Sequence, residues 1–424
     1  MEAESSGVLG LSRTLFLNRN IRIIAITGLI SGVYIGMLNV VLQLFPLSLG
    51  FGVLAVGILQ ALGNRFSGVA ATIVQPIAGH YSDVHSRKQS ILFGSAATIM
   101  SMLSFVGAAL TANGFLLLLA FILFGVSILG SPASQALVAE SVDLDPKRMD
   151  VAYSLVFFLA TIPGIISSYL AGAIAHNYGY VAIFAAAALL EGVDLYLYWR
   201  ELSETKHTMV TDSADGRRFS LREAFRLPKA SAGYYGALAS DAFAFGITTS
   251  IIYAMAKFQF HFSETDIGLL VSAWYIAMLV SQYPATRLLI RLGTKKTIIF
   301  SEALGTLLMA GWALSNSLPE FVVFSVVFGV SVTTWVPGVQ SLMMTHSPPG
   351  ERGSVGGKVA AFRGLVAFPA PIIGGFLYQG LGYEAPVIAS FVGTIASIAL
   401  MIRFLPEHPQ KSTIGAADNP KPQR

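Results

Sequence analysis

Apolar runs long enough to cross a bilayer recur along almost all of the chain, and no other feature constrains its fold as strongly. A helix rising 1.5 Å per residue needs about 20 apolar residues to cross the hydrocarbon layer. Such runs fall at 22–45, 52–78, 90–111, 114–138, 151–174, 179–199, 234–256, 267–289, 297–316, 320–343, 359–379 and 384–404. Buried helices of a soluble protein would need polar helices around them, and the sequence offers none. Only 12% of residues are charged against 54% hydrophobic, about half the charged share of a soluble domain. The expected fold is an all-α polytopic membrane protein with twelve transmembrane helices.

Lys and Arg set the expected orientation, because basic residues collect in the cytoplasmic loops. With both termini cytoplasmic, 25 of the 27 basic residues fall on the cytoplasmic side. The exceptions are Lys257, at the outer end of span seven, and Arg65, inside span two. The net charge of +4 does not point to nucleic acid, because these residues lie in short loops and not on one soluble face. The absence of Cys excludes disulfides, thiolate metal sites and Cys nucleophiles. The first span is expected to serve as the insertion signal, with the cell's inner (plasma) membrane as the destination.

The longest polar segment, from about Arg200 to Gly233, leaves six spans on each side. The expected organisation is a first helical bundle over 1–199, a cytoplasmic linker over 200–233, a second bundle over 234–404 and a polar tail over 405–424. Within the linker, Ser220 to Leu227 reads as a short amphipathic surface helix. The halves echo each other weakly. Gly172 followed by Gly179-Tyr180 repeats as Gly375 followed by Gly382-Tyr383, and Arg87-Lys88 as Lys295-Lys296.

After span two the chain reads Gly79-His80-Tyr81-Ser82-Asp83-Val84-His85-Ser86-Arg87-Lys88. This resembles the signature loop of the major facilitator superfamily at Gly79, Asp83, Arg87 and Lys88; Val84 and Ser86 depart from it. The resemblance extends to the layout of spans and linker, so it covers essentially the whole chain. It implies two pseudo-symmetric six-helix bundles around a midplane cavity. It also implies that the loop is a conformational latch between spans two and eleven, with Asp83 at a helix N-terminus. Span eleven carries Pro371-Ile372-Ile373-Gly374-Gly375, which looks like the core of the family's exporter motif, although exporters carry it in span five. Span four lacks the Arg of drug–proton antiporters, which weakens that variant.

Arg65 stands about 13 residues into span two, roughly 20 Å of helix, near mid-membrane. A charge at that depth is costly unless it faces a cavity or a partner. Gln60 and Asn64 extend the same polar surface, and Asn39 and Arg363 are polar positions in spans one and eleven. These five are the expected cavity residues, with an interhelix ion pair as the alternative for Arg65. No carboxylate is expected at the depth of Arg65. Asp241, Glu191 and Asp194 are the candidates for carrying a proton, with Glu302 a further carboxyl at the start of span nine. Asp241 and Arg363 are expected to lie near enough to pair. Glu191 and Asp194 are expected near the inner end of span six, three residues apart on one face.

Glu140, Asp143 and Asp145 read as a solvated loop, and His176 and His261 as outer-face residues, so no metal site is expected. No phosphate-binding loop and no nucleophile–base pair appears, so neither an enzyme nor a cofactor is expected. The expected activity is alternating-access transport of a small organic solute by a monomer, foremost as an exporter with or without proton coupling. The alternatives left open are import or facilitated passage of an organic anion, which Arg65 and Arg363 motivate, and a non-transporting receptor or scaffold on the same fold.

Overall fold

The computed structural model describes residues 8–142, 146–205, 232–345 and 352–406. The expected linker beyond 205, the tail beyond 406, and Asp143 and Asp145 lie outside the described residues. Among the described residues every regular element is a helix. In chain order they are α1 (Val8–Phe16), α2 (Arg19–Ser48), α3 (Val53–Gly63), α4 (Val69–Val84), α5 (Arg87–Thr111), α6 (Gly114–Val126), α7 (Gly130–Glu140), α8 (Pro146–Tyr178) and α9 (Val181–Glu201). There follow α10 (Ala232–Thr249), α11 (Ile252–Phe260), α12 (Glu264–Leu292), α13 (Thr294–Leu314), α14 (Leu318–Thr345), α15 (Arg352–Ala367), α16 (Ala370–Leu381) and α17 (Glu384–Phe404).

Among the described residues, 11 stretches are long and apolar enough to cross a membrane. The chain is therefore an all-α, multi-pass membrane protein. Large apolar side chains such as Phe115, Leu189 and Val280 point outward, as a hydrocarbon solvent permits. Three stretches consist of two helices in line: α6 with α7, α10 with α11, and α15 with α16.

The expected second span over 52–78 is not one helix. It is α3 and α4, separated at Asn64–Gly68. Asn64 leaves the helical conformation with ψ 130°. Its side-chain oxygen accepts from the N–H groups of Phe66 (2.9 Å) and Ser67 (3.3 Å). An Asn that bonds the backbone two and three residues on offers the chain a turn in place of the helical ladder. Gly63 completes the break, because a Cβ there would lie 2.1 Å from the Phe121 carbonyl oxygen of α6. Span eleven breaks at Phe368-Pro369, with Pro369 and Pro371 opening α16, where missing N–H groups cost least.

The two halves, residues 8–205 and 232–406, meet along two seams. In one, α8 lies on α12. Tyr275 of α12 packs its ring where Gly164 of α8 has no side chain; a Cβ there would be 2.4 Å from the ring. Ser272 donates to the Ile165 carbonyl at 2.7 Å in the same seam. In the other, α4 lies on α15 and α3 on α16. The Pro371 to Gly375 motif serves this packing. Gly374 faces the second half's own α10, where a Cβ would be 1.9 Å from the Ile247 carbonyl oxygen. Gly375 faces Leu54 of α3 across the seam. Small residues at such contacts let backbones approach where no hydrophobic force drives association.

Candidate functional site

Each half encloses a charge cluster. In the first half, Glu191 stands at the middle of α9, not near its inner end as expected. The helix runs from Val181 to Glu201, ending two residues further on than the expected span 179–199. Tyr34 of α2 and Ser95 of α5 each donate a hydroxyl to one Glu191 carboxylate oxygen. Asp194, one turn on, is 1% exposed, and neither of its oxygens has a hydrogen-bond partner among the described residues.

Arg65 sits in the break of span two, so its depth is set by a turn and not by a helix. Its guanidinium carbon lies 5.4 Å from the Phe124 ring centre. Its Nε is buried and without a hydrogen-bond partner. Its charge acts on Glu191, Tyr34 and Tyr198. Arg65 nonetheless forms no ion pair among the described residues. Asn64 donates to the Gln60 side chain at 3.4 Å and caps the turn, so this polar pair serves the helix break.

In the second half Asp241 of α10 and Arg363 of α15 are brought together, with Nη2 3.9 Å from Oδ2. Arg363 donates from Nε to the Leu238 carbonyl at 3.3 Å, and its guanidinium lies 4.8 Å from the Trp335 ring centre. Glu302 of α13 is 1% exposed, and neither of its oxygens has a hydrogen-bond partner among the described residues. Tyr34, Ser95 and Trp335 were not singled out as polar partners from sequence, because hydroxyl and indole positions in apolar runs carry no periodic signal.

The seams carry further polar contacts. Asn39 donates to the Tyr275 hydroxyl at 2.9 Å, so it links α2 to α12 across the halves. Gln43 reaches further. Its amide nitrogen donates to the Thr249 carbonyl at 2.9 Å, and its amide oxygen accepts from the Tyr253 N–H at 2.9 Å. One side chain of the first half thus satisfies both sides of the α10–α11 break in the second.

At the end holding Arg19 and Glu201, which pair at 3.1 Å, lies the signature loop. Asp83 pairs with Arg87 inside its own half. Arg87 also donates to Ser82 at 2.8 Å and to Glu140 at 2.9 Å. The N-terminus of α5 is capped by Ser86 and receives Glu204, which accepts from the N–H groups of Arg87 (3.2 Å) and Lys88 (3.3 Å). Gly79 lies buried in α4, its carbonyl accepting from Ser82 at 3.0 Å. At the opposite end Glu264 of α12 holds Lys257 and faces His176 of α8 at 3.3 Å.

A family model described as Major Facilitator Superfamily matches residues 24–252 and 234–423. The chain is 29% identical over 143 residues to the tetracenomycin C resistance and export protein of Streptomyces glaucescens. That match covers 34% of this chain and 27% of the relative. It is 26% identical over 166 residues to the MFS-type transporter SLC18B1 of Mus musculus, covering 36% of this chain and 35% of the relative. The match thus spans about a third of the length of these relatives. Among solved structures it resembles the human organic anion transporter MFSD10 (TETRAN) with TM-score 0.71 and 16% identity, over 90% of this chain and 99% of that one. A point mutant of the nucleoside transporter NupG follows at TM-score 0.69 and 14% identity, over 91% of this chain and 98% of that one. At these identities the likeness is one of fold.

Proposed function

The chain belongs to the major facilitator superfamily, and from that premise we propose that it is a secondary transporter that exports a small organic solute by alternating access. In this reading α3 and α4 count as one span, the twelve spans form two six-helix bundles, and the Arg19 side is cytoplasmic at a plasma membrane. The two seams are the surfaces that open in turn. The likeness to an export protein over 143 residues motivates the outward direction.

The observation that carries the reading is Arg65. A guanidinium with a buried Nε that has no hydrogen-bond partner, in a broken span and outside any ion pair among the described residues, is a costly thing to keep in a membrane without use. We assign it to hold a negatively charged group of the solute, for which its fork is suited. The Phe124 ring beneath it keeps the guanidinium plane in place when no solute is present. Protons supply the driving force, by way of the buried carboxyls.

The test is ligand binding to purified protein, using a panel of small carboxylates, phosphate monoesters and amines scored by thermal shift. Arg65→Lys keeps partial binding of the anions that wild type binds, and Arg65→Gln loses it, with both variants folded. Wild-type anion affinity in folded Arg65→Gln refutes the assignment.

A further inference from the structure

The outward side of α9 changes character along its length. Leu189, Val193, Tyr196 and Arg200 recur every three or four residues, so they form one stripe of the helix, and all four are exposed. In a multi-pass membrane protein such a stripe faces lipid. It runs from hydrocarbon contacts at Leu189 and Val193, through a phenol, to a guanidinium at the helix end. Trp199, beside Arg200, is 64% exposed, and its ring lies 6.3 Å from that of Tyr196. Tyr and Trp settle at the depth of lipid headgroups, so this pair marks the boundary between hydrocarbon and water on α9.

The stripe ends on a basic cluster built from two helices. Glu201 holds Arg200 by one carboxylate oxygen at 3.2 Å and Arg19 of α2 by the other at 3.1 Å. Arg200 also donates to the Tyr196 hydroxyl at 2.7 Å. The two guanidiniums are thus set side by side, yet the Arg200 and Arg19 side chains stay 62% and 54% exposed. Arg22 stands three residues after Arg19 on the same face of α2; it is exposed and forms no ion pair among the described residues. Glu204, the next acidic residue along the chain, is engaged elsewhere. It accepts from the Ser86 hydroxyl and from the N–H groups of Arg87 and Lys88 at the start of α5.

Three guanidiniums against one carboxylate leave a surplus of positive charge. Each guanidinium has five N–H donors, of which Glu201 and Tyr196 engage few, and its planar fork matches a phosphate. A phosphate at this depth, next to a stripe that takes an acyl chain, belongs to a phospholipid and not to a soluble anion. We propose that Arg19, Arg22 and Arg200, with the outward stripe of α9, form a binding site for an anionic phospholipid, one whose headgroup carries no ammonium to balance its phosphate. The phosphate is held among the guanidiniums, Trp199 lies at the glycerol level, and an acyl chain runs down Val193 and Leu189. A zwitterionic lipid fits the stripe equally well but brings a cation to a surface that already has a surplus of them. The proposal needs only that the chain spans a membrane. Arg65 is not part of this set, so this site and the solute reading fail separately.

The test uses the full chain in nanodiscs of phosphatidylcholine containing increasing shares of phosphatidylglycerol, with bromine on the acyl chains of one lipid or the other. At equal mole fraction of brominated lipid, the phosphatidylglycerol is expected to quench tryptophan fluorescence more than the phosphatidylcholine. The excess is expected to vanish in Trp199→Phe, which keeps the other tryptophans. In the triple variant Arg19→Gln, Arg22→Gln, Arg200→Gln, the mole fraction giving half of the excess is expected to rise at least about tenfold. A second triple variant, Arg291→Gln, Lys295→Gln, Lys296→Gln, removes the same charge around the α12–α13 turn and is expected to leave it unchanged. Equal quenching by the two lipids in wild type, or an excess that survives Trp199→Phe, overturns the site. Equal weakening in the two triple variants overturns it as well, by reducing it to general attraction of anionic lipid to a basic surface. The first two outcomes are read on protein whose arginines are intact, so the test decides even where a triple variant fails to fold.

Discussion

Gln43 offers the most direct measurement of how the halves hold together. It is 8% exposed and is the side chain that serves both the Thr249 carbonyl and the Tyr253 N–H. Gln43→Ala leaves those two groups at the α10–α11 break without partners. An orphaned buried polar group costs about 1–3 kcal/mol. Water entering the space left by the amide reduces this, so the low end applies, about 1 kcal/mol for each group and about 2 kcal/mol in all. The cost falls only on the conformer in which α2 meets the break. At 1.4 kcal/mol per factor of ten, the equilibrium shifts toward the seam-open conformer by about 25-fold. Ser272→Cys, a near-isosteric change in the α8–α12 seam, supplies the reporter. An impermeant maleimide is added outside intact cells. Labelling is expected to be at least several-fold faster when Gln43→Ala is combined with Ser272→Cys. Equal labelling rates with and without Gln43, at equal expression, refute the reasoning.

Three other outcomes are expected. Gly374→Val places side-chain atoms against the Ile247 carbonyl and is expected to lower stability by about 1–3 kcal/mol, seen as a lower melting temperature in detergent; an unchanged melting point contradicts the packing account. Arg87→Ala removes the cation that joins Asp83, Ser82 and Glu140; with both carboxylates part exposed the cost is about 2 kcal/mol, and Asp83→Asn should cost less, because an amide still accepts from the guanidinium. The reverse order in thermal melts removes Arg87 as the centre of that loop. A thiol introduced at Ser213 reacts with a permeant maleimide but not an impermeant one on intact cells; labelling by the impermeant reagent reverses the proposed orientation.

The approximate place of the long apolar helices was legible because spanning length is a property of composition alone. What the sequence hid is where those helices break. Hydropathy averages over a window, and Asn64-Arg65 is too short an interruption to end an apolar run, so span two read as continuous. The turn is made by one Asn side chain and by a glycine pressed on Phe121, and the second of these is a tertiary fact. The pairing of Asp241 with Arg363 could be anticipated from their similar depth in neighbouring spans. The burial of Glu302 could not, because the expected span places it near its start, whereas it stands a full two turns into α13. Gln43 passed unnoticed for a different reason. Its meaning lies wholly in the backbone it meets on the other half.

Two of the interrupted spans also differ in what keeps them interrupted. The break in span two is self-sufficient: Asn64 caps the turn from within the same segment, and α6 of the same half packs on Gly63. The break between α10 and α11 is not, since its freed carbonyl and N–H are met by Gln43 from the opposite half. Backbone groups at membrane depth must find a partner in protein or water. The span-two break can therefore stay as it is when the halves move, keeping Arg65 in a fixed place. The span-seven break must exchange Gln43 for water, for solute or for a re-formed helical bond. On the transport cycle proposed above, these two sources of hydrogen bonds would put binding on the first break and gating on the second.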